Sequence, residues 1–498
     1  MLPFGSISFF FTSPMAVNFT TPQKHGTLSP LAALFKFLAI FLGLVLLMFY
    51  ISLQENAHFY QNSDLLANFT QRWSASIPIA KTPTNISHIV FGIAGSMNTW
   101  QQKTSYVKSW WRPNVTRGYL FLDREPTMDF LPWSSSYPPF RVNEDFTKLS
   151  SYKNIEWSDH VRIVRSVLEI FKEGDEDVRW YVMADDDTIV FVDNLVEVLA
   201  KYDHTKYMYI GASSECIISN FYFSFDMAFG GGGYALSYPL AAALIKIFDK
   251  CIQRYIHILY SDFMLYFCLS DLGVSLTQQK GFHQIDLVGD ISGLLSAHPQ
   301  VPLVSLHHLD TIDPIFPFKN RSESINHLMK ASKADHSRLL QQTICYHRPS
   351  KWSFSVSWGY SVHIYENIFP RSYLRTPIET FRPWKDVSPP LYMFNTRPWP
   401  PKDPSCEAPH VFYFDSIEKK EGDQIVTTYV RAFPRDSASC SSSGSLSADP
   451  ITKIQVFSSP ATKRMEGVEI DCCSVLHEAG MDTTKVIYRK CMKDEIMS

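Results

Sequence analysis

The sequence predicts a layered α/β body with a largely parallel sheet, set between an apolar anchor and a small, mostly β C-terminal region. Three observations predict it. Strand-like and helix-like segments alternate from residue 88 to about 250, one strand runs straight into Asp185-Asp186-Asp187, and Leu31 to Leu53 is nearly all apolar. Strands alternating with helices are the pattern of units whose neighbouring strands lie parallel.

The apolar segment comes first in the chain. It carries only Lys36, near its leading edge, and is about as long as a helix that crosses a bilayer. Lys24 and no acid precede it, whereas Glu55 follows, so positive charge favours a cytosolic N-terminus and a lumenal or extracellular body. The roughly thirty residues ahead of the span are too many for a simple cleaved signal. The expected organisation is a cytosolic tail (1–30), a transmembrane signal anchor (31–53), a stem (54–84), the α/β domain (85–320), an extension packed on it (321–405) and a cysteine-containing β accessory region (406–498). All nine cysteines follow the span. An oxidising lumen should pair several of them, the odd total leaves one unpaired or intermolecular, and the pairing is not deducible. The sequons at Asn68, Asn85, Asn114 and Asn320 lie on the same side. A formal charge of −3 and no long basic run argue against nucleic acid as a partner.

Within the body, residues 88–94 read as a strand ending in small residues, 103–111 as a helix and 118–123 as a second strand ending in an acid. Residues 159–171 place Val161, Val164, Val167, Leu168 and Phe171 at helical spacing. The strand Val178–Met183 leads into the aspartates, 194–202 reads as a helix and 207–211 as a strand. Four glycines, Gly230 to Gly233, then precede an Ala-rich helix from Pro239 to Lys250. Such a run suits close backbone approach to a ligand, with a flexible loop as the alternative. Past residue 320 the alternation fades, 352–365 and the Pro-rich 377–409 look extended and loop-like, and short strands recur from Val411.

Adjacent like charges repel, so a packed fold keeps three carboxylates together only where water or a cation screens them. Hard divalent ions prefer oxygen ligands, and ligands of open α/β sheets bind at the carboxyl ends of strands. The cluster reads either as a metal site able to hold a diphosphate or as an acidic, solvated turn.

Several blocks resemble the plant Fringe-related proteins. They are Ile89 to Arg112 with Lys108-Ser109-Trp110-Trp111-Arg112-Pro113, Trp180 to Thr188, Phe229 to Ser237, Gly281-Phe282-His283-Gln284, and Val304 to Asp310. These proteins are similar to the β-1,3-glycosyltransferases of family 31, the Fringe and core 1 galactosyltransferase type. The resemblance implies a GT-A (Rossmann-like) fold, type II topology in the Golgi membrane, a UDP-sugar donor, a glycan or glycoconjugate acceptor, and Mn2+ (or Mg2+). It implies Asp187, with Asp185, as metal ligands and His308 as the histidine completing the metal site. Asp185, Asp186 and Gly230, Gly231, Gly232 and Gly233 would face the donor. On the residues alone, His307 and His308 read as a hydrogen-bonded pair in a core loop.

Inverting transfer needs a base for the acceptor hydroxyl. The family's acidic pair corresponds here to Asp262-Phe263, so Asp262 is the candidate catalytic residue and Phe263 stands where the usual base would be. Asp262 also reads as a helix cap with Ser261. Two functions follow: a Golgi transferase moving a hexose or N-acetylhexosamine from a UDP-sugar with inversion, β-1,3 linkage expected, or a catalytically impaired glycan- or UDP-sugar-binding protein of the same fold. A metal-dependent hydrolase lacks a further two-metal cluster.

Overall fold

The fold is seen in a computed structural model that describes residues 82–146, 158–385, 388–400, 407–435, 447–459, 471–478 and 480–492. The expected tail, the anchor at 31–53 and most of the stem lie outside these residues. Among the described residues no helix is long and apolar enough to cross a membrane.

The first half runs β1 (Ile89–Ala94), α1 (Trp100–Trp110), β2 (Arg117–Leu122), β3 (Phe140–Val142), α2 (Ser158–Lys172), β4 (Trp180–Asp185), β5 (Ile189–Val190), α3 (Val192–Leu199), β6 (Tyr209–Gly211), α4 (Ile217–Tyr222), β7 (Tyr234–Ser237), α5 (Tyr238–Arg254), α6 (Ser261–Asp271) and β8 (Thr277–Gln278). The strands form a seven-stranded sheet in the order β3-β2-β1-β4-β7-β6-β8. β1 pairs parallel with both β2 and β4, whereas β7 runs antiparallel to β4 and β6. From β1 the chain moves outward to β2 and β3, then crosses back to β4 on the other side. That reversal is the topological switch point, where strand ends open a crevice. Ala94 pairs with Asp185 in register, so β1 and β4 end together at it.

Alternation along the strands sorts side chains onto two faces. Trp180 and Val182 of β4 join one core with Phe91 and Ile93, while Tyr181 and Met183 join the other with Val90. The second core is completed by α2, α5 and α6, whose buried positions recur at helical spacing, as in Leu240, Leu244, Phe248 and Ile252. A Cys251–Cys268 disulfide ties α5 to α6. Closing a loop of that length restricts the unfolded chain by an amount worth about 3 kcal/mol.

The second half runs β9 (Leu287–Gly289), α7 (Ser292–Ala297), β10 (Ser305–Leu306), α8 (Arg321–Ala334), β11 (Gln342–His347), β12 (Trp352–Ser357), β13 (Ser361–Tyr365), α9 (Arg371–Leu374), β14 (Phe381–Pro383), β15 (His410–Lys419), β16 (Ile425–Arg431), β17 (Lys453–Ser458), β18 (Cys472–Leu476) and β19 (Thr483–Arg489). An eight-stranded sheet takes the order β11-β12-β13-β15-β16-β17-β19-β18. β13 pairs directly with β15, so this sheet runs across the expected boundary at 405/406 and begins near residue 342. Residues 352–365, expected to be loop-like, are instead the hairpin β12–β13, buried throughout. Its serines are strand residues with internal partners: Ser353 Oγ donates to Asn367 O and Ser357 Oγ to Leu295 O. Disulfides Cys345–Cys473 and Cys472–Cys491 fasten β18 to both neighbours, and Cys216 is free and buried. Cys406 and Cys440 lie outside the described residues.

Candidate active site

The aspartates follow β4 because the strand stops where its neighbour stops. Asp186 N–H still donates to Ala94 O, and the chain then turns. Thr188 fixes the turn, accepting from Asp185 N–H at 3.0 Å and donating to Gly231 O at 2.7 Å. Asp186 and Asp187 are 7% exposed, whereas the Asp185 side chain keeps 38% exposure at the mouth.

Two short strands then bring a distant segment to the cluster. β5 starts two residues after Asp187, and β10 ends at the residue before His307. Their antiparallel pairing, Ser305 with Val190 and Leu306 with Ile189, delivers the histidines beside the aspartates. His307 Nε2 lies 3.0 Å from Asp187 Oδ1 and 3.9 Å from Asp185 Oδ2. His308 is not the partner: its Nδ1 lies 2.8 Å from Asp286 Oδ1. The chain leaves the extended conformation at His308 (φ +58), so the two rings lie side by side with centroids 3.9 Å apart, His307 toward the carboxylates and His308 toward Asp286. The expectation of His308 as the third member of this cluster is corrected on that geometry to His307.

The glycines are held, not loose. Gly232 N–H donates to Gln284 Oε1 at 2.6 Å, Ser305 Oγ donates to Gly232 O, and Gly233 N–H donates to Gly230 O at 2.9 Å. They are glycines because side chains press on them. A Cβ on Gly231 would stand 2.0 Å from His307 Cε1, and one on Gly230 would stand 2.6 Å from Asp262 Oδ1. The close approach expected of a ligand is made in this structure by His307 and Asp262.

Asp262 lies in the first turn of α6, behind Tyr260 at φ +86. It makes no helix-capping bond. Its Oδ2 accepts from Gly230 N–H at 2.8 Å and its Oδ1 from Ser261 Oγ at 2.9 Å. Phe263, one position on, points elsewhere and packs with Phe223 and Phe267 at centroid distances of 5.8 and 4.8 Å.

Sequence reasoning missed Lys103 and Asp310. Lys103, on α1, places Nζ 2.6 Å from Asp187 Oδ2 and 2.5 Å from Asp310 Oδ2. Nothing in the spacing links residues so far apart, and helical periodicity records only that α1 faces the site.

Electrostatics divides the aspartates. Burial alone would raise the Asp187 carboxyl, but His307 and Lys103 outweigh it and hold Asp187 well below the usual carboxylate range. For Asp186 the balance is opposite: burial, then the Asp187 charge, outweigh Lys103 and a backbone hydrogen bond from Ser96 and push it up to about 7. Asp185 is raised too, by its deep setting and by the charges of Asp187, Asp262 and Asp186.

Whether a divalent cation fits can be tested on the donors. Asp185, Asp187 and His307 each offer one ligand atom, all within 4.8 Å of one another. Asp186 Oδ2, His307 Nδ1 and Asp310 Oδ1 are buried without a hydrogen-bond partner. Two carboxylates and one imidazole suit Mn2+ or Mg2+, and the residues fit.

Fold and site define an α/β protein with a recess of buried carboxylates, a histidine and a lysine at the switch point of its sheet. By its sequence the chain belongs to the family described as "Protein of unknown function, DUF604", whose model matches residues 219–473, just over half of the chain. It is similar to the beta-1,3-glucosyltransferases of Homo sapiens and Mus musculus, 30% identical over 151 residues in each case. Those residues are 30% of this chain and 29% of each relative, so the chain spans under a third of the relatives' length. Among solved structures it is similar to a glycosyltransferase involved in glycosylation of the major capsid of PBCV-1. That match has a TM-score of 0.27, 12% identity, and covers 49% of this chain and 98% of the other. A second is a mannosyltransferase from Pyrobaculum calidifontis in complex with GDP-Man and Mn2+, with a TM-score of 0.25, 10% identity, and 46% and 64% covered. Likenesses this low define neither fold nor chemistry here.

Proposed function

We propose that this chain is a metal-dependent glycosyltransferase that moves a hexose or N-acetylhexosamine from a UDP-sugar to a glycan hydroxyl with inversion, forming a β-1,3 linkage. The observation that carries the reading is the convergence of Asp185, Asp187 and His307 with the glycine segment and Asp262 at the shared end of β1 and β4. The human and mouse relatives, named as beta-1,3-glucosyltransferases, support the linkage and a hexose. The blocks resembling plant Fringe-related proteins support UDP as the carrier. The apolar segment at 31–53 supports a type II protein of the Golgi membrane.

In this reading Asp185, Asp187 and His307 hold Mn2+ or Mg2+. Such a cation supplies Lewis-acid and electrostatic stabilisation of the departing diphosphate. Lys103 adds a second positive group to the same recess. The constrained backbone of Gly230 to Gly233 lets the donor sugar lie close to Asp262. A carboxylate has about four lone-pair positions, so Asp262 can keep Gly230 N–H and Ser261 Oγ and still accept the acceptor's proton. The acceptor oxygen bonds to the anomeric carbon as the bond to UDP breaks, and the proton ends on Asp262.

The test is calorimetric titration of the purified full-length chain with UDP, with and without Mn2+. Mn2+-dependent binding is expected, weakened on the order of 100-fold or more in Asp187→Ala, consistent with direct loss of a ligand where outer-shell losses already reach about that size. Binding unaffected by Mn2+ and by Asp187→Ala would sink the reading.

One observation favours a second reading, a UDP-sugar-binding protein without turnover: Phe263 is turned into an aromatic cluster, leaving Asp262 as the acid of the pair. The two readings separate on Asp262→Asn. A transferase loses turnover by about 100-fold or more while keeping UDP affinity, and a binding protein shows no turnover to lose.

A further inference from the structure

A second cluster of side chains able to ligate a metal lies across the 281–286 segment from the aspartates. Glu215 follows β6, His283 sits in that segment and His298 directly follows α7. Each offers one ligand atom, and the three lie within 4.8 Å of one another. Ligands around a four-coordinate zinc stand about 2.0–2.2 Å from the ion, hence roughly 3.5 Å apart, so small side-chain shifts close the set.

Three features show a built site. Glu215 is pinned, its Oε2 accepting from Ile285 N–H at 2.7 Å while Oε1 lies 2.7 Å from His283 Nδ1. His283 is 8% exposed, yet its Nε2 is buried without a hydrogen-bond partner, a costly state for a polar atom. The His298 ring approaches His283 edge-on at 5.6 Å. All three residues line a cavity of about 560 Å³, whose wall also carries Lys280, Gln300 and Arg375. An ion bound here would have a free position facing that space.

We propose that Glu215, His283 and His298 form a second metal site, selective for a zinc-class transition ion and distinct from the Asp185–Asp187–His307 cluster. The donor sets differ in kind. Two imidazoles and one carboxylate with an open fourth position are a zinc arrangement, whereas the carboxylate-rich cluster suits harder ions. The sites share a scaffold: Gln284 faces the glycines, His283 faces the cavity, and His307 N–H donates to His283 O at 3.1 Å. These ligands lie 68 and 15 residues apart, and no spacing motif of the sequence links them.

The test strips the full-length chain with chelator, dialyses it against Zn2+ and measures zinc per chain for wild type, His298→Gln and Asp187→Asn. The expected result is a tightly held zinc that Asp187→Asn keeps and His298→Gln loses. Equal zinc in wild type and His298→Gln, or loss only in Asp187→Asn, overturns the proposal. X-ray absorption of the zinc-loaded wild type needs no variant, which covers a His298→Gln chain that fails to fold. Two imidazoles in the first shell support the site, and one or none overturns it. UDP binding that ignores Mn2+ and Asp187→Ala would sink the first reading and leave these readouts unchanged, so the two readings fail separately.

Discussion

Two buried charge clusters in this molecule are built on opposite principles. Glu366, just after β13, is closed on every side. It accepts from His410 Nε2 at 2.9 Å, Ser447 Oγ at 2.9 Å and Ala448 N–H at 2.8 Å, and Arg435 lies 3.5 Å away. Arg431 in turn donates to His410 Nδ1 at 2.8 Å and to Ala448 O at 2.8 Å. Arg435 faces the carboxylate directly, and Arg431 reaches it through His410. At the end of β4 the balance reverses, with Asp185, Asp186, Asp187, Asp262 and Asp310 around a single lysine and His307, and with three buried polar atoms unpaired. The first cluster is complete in itself. The second becomes complete only with something added, which is the physical difference between a network that holds a sheet together and one that awaits a ligand.

Neutralising a carboxylate should therefore have opposite consequences in the two places. Glu366→Gln removes the charge on which the buried His410 and the Arg435 guanidinium converge, and breaking such a pair costs about 3–5 kcal/mol. Urea denaturation should show that loss, with UDP affinity of the folded protein unchanged. A cost under about 1 kcal/mol would mean the network is solvated, and the contrast with the aspartates would disappear.

The middle-sized effect concerns the glycines. Gly231→Ala puts a methyl group 2.0 Å from His307 Cε1, and the ring can yield only by leaving Asp187. Overpacking of this kind costs about 1–3 kcal/mol. Mn2+-dependent UDP affinity should fall roughly in step, on the order of 10-fold by the usual 1.4 kcal/mol per decade. Gly232→Ala, whose added Cβ meets Gln284 only at 3.3 Å, should be milder in both readouts. Equal behaviour of the two variants would show that His307 is not what the glycines accommodate.

How much of this was legible in the sequence follows from which contacts are local. β4 and its aspartates, the glycines before β7 and the helices α2 and α5 were readable because pattern and turn chemistry sit within a few residues. The hairpin β12–β13 was not, since both its faces are buried and its serines find partners in Asn367 and Leu295, far along the chain. The choice between His307 and His308 depends on the β5–β10 register, which involves residues over a hundred positions apart. Lys103 is invisible for the same reason. Asp262 stands out in the sequence as the remaining acid of the pair, but its bond to Gly230 N–H, in place of a helix cap, is a tertiary fact.

The smallest effect separates the clusters most sharply, because its sign is reversed. Asp186 is pushed up to about 7 by burial and by the Asp187 charge, from about 3.8 in an unfolded chain. Below about pH 4 both states hold the proton, and Asp186 contributes nothing. Between 4 and 7 the unfolded chain releases its proton while the folded protein retains it, so the folded state binds more protons and stability falls as pH rises. Above 7 the penalty is complete. A rise of that size is worth at most about 4 kcal/mol at pH 8. The Asn amide keeps much of the cost of a buried polar group, so in chelator-treated, metal-free protein Asp186→Asn should stabilise by about 1 kcal/mol at pH 8 and by nothing measurable at pH 4. Glu366→Gln destabilises at neutral pH. Denaturation midpoints at the two pH values decide it: a gain that ignores pH, or a loss at pH 8, would mean Asp186 is paired as Glu366 is. Saturating Mn2+ should shrink the gain, since a cation held by Asp185, Asp187 and His307 relieves the repulsion that the variant removes.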